Sequence, residues 1–169
     1  MVRALLVIVP DDIEQCQGMR EHLDQNGWRY ITWSEGQLPE ETTQVIFADT
    51  HGELGLWYRI APITFMASSL HSGQTGRDPN EPAVHGSAIL YGPNIKNHLA
   101  SYSRYAEAGG ARIVRDTDTL SAAVRRLIAP DQSATMAHAA WDVASSGAEI
   151  TDKIIDCVQD TLDIAGVGP

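Results

Sequence analysis

The residues able to do chemistry gather in three polar clusters, each at the end of a short apolar run. Asp49-Thr-His-Gly-Glu53 follows Gln44-Val-Ile-Phe-Ala48, Ser68-Ser69 follows Ile63-Thr-Phe-Met66, and Gly92-Pro93 with Asn97 follows Ala88-Ile-Leu-Tyr91. Between the second and third lies Gly73-Gln-Thr-Gly-Arg-Asp-Pro-Asn-Glu-Pro82, too rich in Gly, Pro and Asn for helix or strand. Carboxylates accept hydrogen bonds, hydroxyls donate them, and glycines let backbone come close to a ligand. The apolar runs are short and β-branched or aromatic, so they read as strands. In a parallel sheet all three clusters emerge on one edge, where open α/β sheets bind ligands.

Several chemistries are excluded by what is missing. Pro10-Asp-Asp-Ile stands after the first apolar run in place of G-x-G-x-x-G, which argues against a dinucleotide cofactor. No P-loop and no G-x-S-x-G nucleophile elbow occurs. His51-Gly-Glu53 mimics the H-x-E of zinc deaminases, but no C-x-x-C follows it, and the six histidines lack H-x-x-x-H spacing. Neither a metal nor a cofactor is expected.

Composition sets wider limits. A chain of 169 residues with 43% hydrophobic content is expected to form one domain around one core, spanning 1–169. The net charge of −10 argues against nucleic acid as a partner, because a nucleic-acid backbone calls for a clustered basic face. An anionic small molecule is still compatible, given local cations or backbone N–H groups. No apolar run approaches the roughly 18 residues a membrane span needs. Met1-Val-Arg-Ala-Leu-Leu-Val-Ile-Val-Pro10 reads as a buried first strand rather than a signal peptide. The two cysteines, Cys16 and Cys157, are far apart in sequence, which suggests reduced thiols and a cytosolic setting.

Strands and helices alternate along the chain. Strands are expected at Ala4 to Val9, Trp28 to Trp33, the three runs above, and Arg112 to Val114. Helices are expected at Glu14 to Asn26 before a Gly27 cap, Gly52 to Ile60, Glu81 to Gly86, His98 to Ala108, and Leu120 to Ile128 behind an N-cap supplied by Asp116-Thr-Asp118. The rest, about 131–165, reads as two helices broken near Gly147, with an apolar stripe of Ile150, Ile154, Ile155, Val158 and Leu162, packing on the same domain. This alternation implies a doubly wound, Rossmann-like α/β domain with a parallel sheet.

Taken in order, Asp49-Thr-x-Gly-Glu-Leu54, Tyr58, Ser69-Leu70, Pro79-x-Glu-Pro82, Gly92-Pro93 and Asn97 resemble the C-terminal donor-binding domain of the Kdo transferases. Tyr30-Ile-Thr-x-Ser-Glu-Gly36 and Ala108-Gly-Gly-Ala111 extend the likeness, which runs from the first strand to about Ala148. These GT-B glycosyltransferases move 3-deoxy-D-manno-octulosonic acid (Kdo) from CMP-Kdo to lipid A precursors in lipopolysaccharide biosynthesis. The resemblance implies a Rossmann-like C-terminal half of a GT-B enzyme that binds the nucleotide sugar CMP-Kdo. It also implies a cytoplasmic location, with the parent protein at the cytoplasmic face of the inner membrane. The acceptor domain, with the general base and the lipid A precursor site, is expected to be missing from this chain. No catalytic residue is assigned here, and the chain alone is expected to bind at most and not to catalyse; the alternatives are a degenerate paralogue binding another nucleotide sugar and a non-catalytic interaction domain.

The resemblance also offers donor-binding residues. Glu81 matches the carboxylate that accepts from ribose hydroxyls, the favoured reading, though a charge at a helix N-terminus is the alternative. Ser68 and Ser69 match phosphate donors, or else form a turn or N-cap. Gly52 and Glu53 fall where a loop lies near the nucleotide, or simply start a helix capped by Asp49 or Thr50. Asn97 contacts the donor, orients its loop, or caps the next helix. The departures concern charge and backbone freedom. Asp11-Asp12 replaces the family's Arg-His, Ala67-Ser68 replaces Gly-Gly, and Thr75-Gly-Arg-Asp-Pro79 replaces Gly-Gly-His-Asn-Pro, so Arg77 restores a cation that Asp78 offsets.

Overall fold

The computed structural model describes residues 4–12 and 16–164, and contacts divide the chain into two compact units, residues 1–57 and 58–169. In the first, strands β1 (Leu6–Ile8), β2 (Tyr30–Thr32) and β3 (Val45–Phe47) pair in parallel in the order β1-β3-β2. β3 is central and fully buried, and its side chains alternate between two cores. Val45 and Phe47 pack with Cys16 and Leu23 of helix α1 (Cys16–Gln25), whereas Ile46 packs with Ile31, Ala48 and Trp57. Helix α1 closes as the sequence predicts. Gly27, at φ 66°, sends its N–H to Asp24 while Trp28 reaches the Leu23 carbonyl, a Schellman turn. Residues 13–15, where that helix is expected to begin, lie outside the described residues.

The second unit repeats the plan. Strands β4 (Ile63–Met66), β5 (Ala88–Tyr91) and β6 (Ala111–Ile113) pair in parallel in the order β4-β5-β6. Central β5 sends Ile89 and Tyr91 to one face, against Tyr102 and Tyr105 of α4 (Leu99–Glu107), and Ala88 and Leu90 to the other, against Ala123 and Leu127 of α5 (Thr117–Leu127). Within the expected Asp116-Thr-Asp118 stretch it is Asp116 that caps α5, in a capping box with Thr119. The remaining helices are α2 (Leu54–Ile60), inside which the unit boundary falls, α3 (Asn80–Val84) and α6 (Pro130–Ile164). Neither Cys16 nor Cys157 is in a disulfide.

All the described strand pairings are parallel, as the alternation requires, but the ladders form two three-stranded sheets where the sequence reading expects one. Two further expectations are corrected. Trp33 leaves the strand and opens a 3-10 turn, Trp33–Glu35, because Gly36 at φ 70° turns the chain there. The two terminal helices are one continuous helix, α6. Pro130 suits its first turn, and a lone interior glycine such as Gly147 costs only about 1 kcal/mol, too little to break a helix already nucleated. Its first half buries Ser133, Ala137 and Ala140, whereas residues 154–164 are exposed throughout. The Ile150 side chain lies outside what the structure describes.

Candidate functional site

In the first unit the cluster after β3 is held by side chains rather than by a helix cap. The Asp49 carboxylate takes Ser34 N–H at 3.0 Å, Ser34 O–H at 2.8 Å and the Arg20 guanidinium at 2.9 Å. Burial pushes the Asp49 pKa up, but the Ser34 hydrogen bonds and the Arg20 charge outweigh it and hold the carboxyl below its ordinary value. Arg20 in turn lies over the Phe47 ring at 5.4 Å. Thr50 donates its hydroxyl to Glu53 Oε2, and Trp33 Nε1–H reaches the same oxygen at 2.9 Å. Asp49 and Thr50 are thus occupied elsewhere than at the start of α2, against the capping alternative. Gly52 is exposed at φ 86°, and no atom lies within 4 Å of where its Cβ would stand.

In the second unit the loops after β4 and β5 are knotted through Ser69. That residue is fully buried in a 3-10 turn, Ala67–Ser69, where its hydroxyl donates to the Met66 carbonyl at 2.5 Å and accepts the Gly92 N–H at 2.6 Å. A Cβ on Gly92 would sit 2.5 Å from the Ser69 carbonyl oxygen and the Leu70 Cα, so only glycine allows this approach. Asn94 completes the knot, its N–H reaching the Ser69 carbonyl at 2.8 Å and its side chain the His71 carbonyl at 2.9 Å. The Gly/Pro loop is tied to α4 from below. Tyr102 O–H donates to the Arg77 carbonyl at 2.8 Å, and Tyr105 O–H to Asn80 Oδ1 at 2.6 Å.

The residues singled out from sequence therefore stand in different conditions. Ser69 is buried, with its hydroxyl spent between two backbone groups, while Ser68 beside it is half-buried. Arg77 and Glu81 are exposed, Glu81 in the first turn of α3. Asn97 is exposed in the 3-10 turn Lys96–His98, and the α4 N-cap is His98, so the capping alternative for Asn97 is corrected. Asp11 and Asp12 are exposed beyond β1, and Asp78 accepts both the N–H and the side-chain amide of Asn80. An open cavity of about 500 Å3 lies beside β2, lined by Arg20, Trp28, Arg29, Tyr30 and others, and takes in none of the donor-binding residues named from sequence. Sequence reasoning gives no role to Trp33 or Asn94, which stand at unassigned positions between motif residues and show their roles only through their contacts.

No family model matches the chain. Over 161 residues it is 29% identical to the 3-deoxy-D-manno-octulosonic acid transferase of Haemophilus influenzae, covering 94% of this chain and 38% of that protein. The Rickettsia felis transferase is 20% identical, covering 89% of this chain and 32% of its own length. A probable mitochondrial transferase of Arabidopsis thaliana is 27% identical, covering 85% and 33%. The chain thus spans about a third of the length of these curated relatives. Its fold matches the crystal structure of the C-terminal CMP-Kdo binding domain of WaaA from Acinetobacter baumannii, with a TM-score of 0.75 at 24% identity, over 82% of this chain and 72% of that one. Along nearly its whole length the chain is thus similar to Kdo transferases, and its α/β fold is that of the C-terminal CMP-Kdo binding domain of WaaA.

Proposed function

We propose that this chain is the donor-binding part of a Kdo-transferase-like glycosyltransferase and takes CMP-Kdo as its nucleotide sugar. The observation that carries the reading is the similarity to Kdo transferases over 94% of the chain, with the polar clusters at the strand ends. Glu53 in the first unit and Glu81 in the second are offered as hydroxyl acceptors, and Ser68, Arg77 and Asn97 as polar contacts. Ser69 serves through its backbone and the loop it fixes, since its hydroxyl is already paired. Gly52 leaves room for a ligand's approach. Catalysis and the lipid A precursor belong to another part of a longer protein acting at the cytoplasmic face of the inner membrane, so this chain binds without transferring sugar.

Asp11-Asp12 in place of the family's cations motivates a second reading, a degenerate paralogue in which CMP-Kdo binding has decayed or shifted to another nucleotide sugar. Carboxylates near a phosphate replace attraction with repulsion, on the order of 1 kcal/mol per pair in water. Thermal-shift titration separates the two. CMP and CMP-Kdo at millimolar concentration are expected to raise Tm while UDP does not, because a ligand bound only to the folded chain stabilises it by mass action. A shift with UDP alone would favour the second reading, and none with millimolar CMP or CMP-Kdo would refute the first.

A further inference from the structure

Trp33 occupies the unassigned position of the Tyr30-Ile-Thr-x-Ser motif, and its ring does more than fill the core. The indole packs edge-on against Trp57, with centroids 4.9 Å apart and planes at 80°, beside Ile31, Ile46 and Ala48. Packing alone would leave its N–H undirected. Trp57, in the same cluster, shows what that looks like: it is 4% exposed, and its Nε1–H is buried without a partner among the described residues. The Trp33 N–H is instead aimed at Glu53 Oε2, the oxygen that also receives the Thr50 hydroxyl. One carboxylate oxygen is therefore gripped twice, while Oε1 accepts nothing among the described residues. A glutamate has three side-chain torsions to fix before it can accept a ligand's hydrogen bond, and the two donors fix them in advance.

We propose that Trp33 is a positioning residue that, with Thr50, holds Glu53 so that Oε1 faces outward to accept a hydroxyl of the bound nucleotide sugar. The inference rests on the donor-binding reading of the preceding section. Preorganisation makes Trp33 matter for ligand affinity more than for folding, and makes its effect depend on Glu53 being present. Trp33→Phe keeps an aromatic ring in the cluster and removes the N–H together with the five-membered part of the indole, so the melting curve reads the packing loss separately from the loss of affinity.

The test is calorimetric titration of the full chain with freshly prepared CMP-Kdo, alongside melting curves. Trp33→Phe is expected to bind about tenfold more weakly, the worth of one hydrogen bond to a charged group, with Tm within a few degrees of the parent. In a Glu53→Ala background the same substitution is expected to have no further effect. The Trp33 indole N–H resonance is also expected to shift when CMP-Kdo binds. Should Trp33→Phe fail to fold, Thr50→Val removes the other grip on the same oxygen and is expected to show the same pattern. Parental affinity in the variants, or an equal loss with and without Glu53, overturns the proposal and leaves the donor-binding reading standing. Absence of CMP-Kdo binding to the parent chain overturns that reading and this one with it.

Discussion

At the scale of single residues, type was legible and partnership was not. The place of Ser69 after an apolar run marks it as a hydroxyl donor. The structure directs the hydroxyl inward, joining the Met66 carbonyl to the Gly92 N–H where two loops meet at a separation only glycine permits. Ser69→Ala therefore strands the buried Gly92 N–H. The loss is expected to be about 1–3 kcal/mol and to lower Tm by several degrees in a ligand-free melt. An unchanged melt would mean the hydroxyl does no work in the fold. Trp33 shows the converse. Its strand-end position was visible, but a tryptophan in an apolar pattern reads as core, and its hydrogen bond to Glu53 spans 20 residues of sequence.

At the scale of elements, the strands were found because β-branched and aromatic runs end at turn-formers, and β4 and β5 match their expected limits residue for residue. The Gly/Pro loop was also legible as irregular, but what holds it was not, since that depends on two tyrosines a helix away. Tyr102 and Tyr105 are fully buried and anchor Arg77 and Asn80 from α4. Burial, aided by the charges of Tyr58, Asp78 and Tyr91, pushes the Tyr102 pKa far above its ordinary value of 10.0. The unfolded chain therefore gives up this proton near pH 10 while the folded chain keeps it. Stability tied to the phenol is complete below that pH and is lost as pH rises above it. Tyr102→Phe is expected to cost about 1 kcal/mol near neutrality by freeing the Arg77 carbonyl, and to expose the loop to faster proteolysis. Above pH 10 the variant's stability should fall less steeply than the parent's in denaturant titrations. A parallel fall in both would remove Tyr102 from the alkaline transition.

At the scale of the whole molecule, parallel α/β architecture followed from alternation alone, whereas the division into two three-stranded ladders did not, because hydrophobic period says which face a residue takes and not which strands share an edge. The length of α6 was missed for a related reason. Gly147 carries a propensity cost but says nothing of the continuous helix on either side of it. The outer half of that helix gains little from tertiary packing: Ile154, Ile155, Val158 and Leu162 are 44–58% exposed, and every residue from 154 to 164 is exposed. Turns at the end of a helix are added to an existing nucleus, so they form without buried surface but contribute little to global stability. Ending the chain after Lys153 is therefore expected to leave Tm within about 2 °C of the parent, since each kcal/mol shifts a domain of this size by about 2–4 °C. Far-UV circular dichroism should fall only in proportion to the helical residues removed. A drop of more than about 5 °C would show that the apolar stripe buries against the chain in solution, because surface left in water cannot stabilise a fold by that amount.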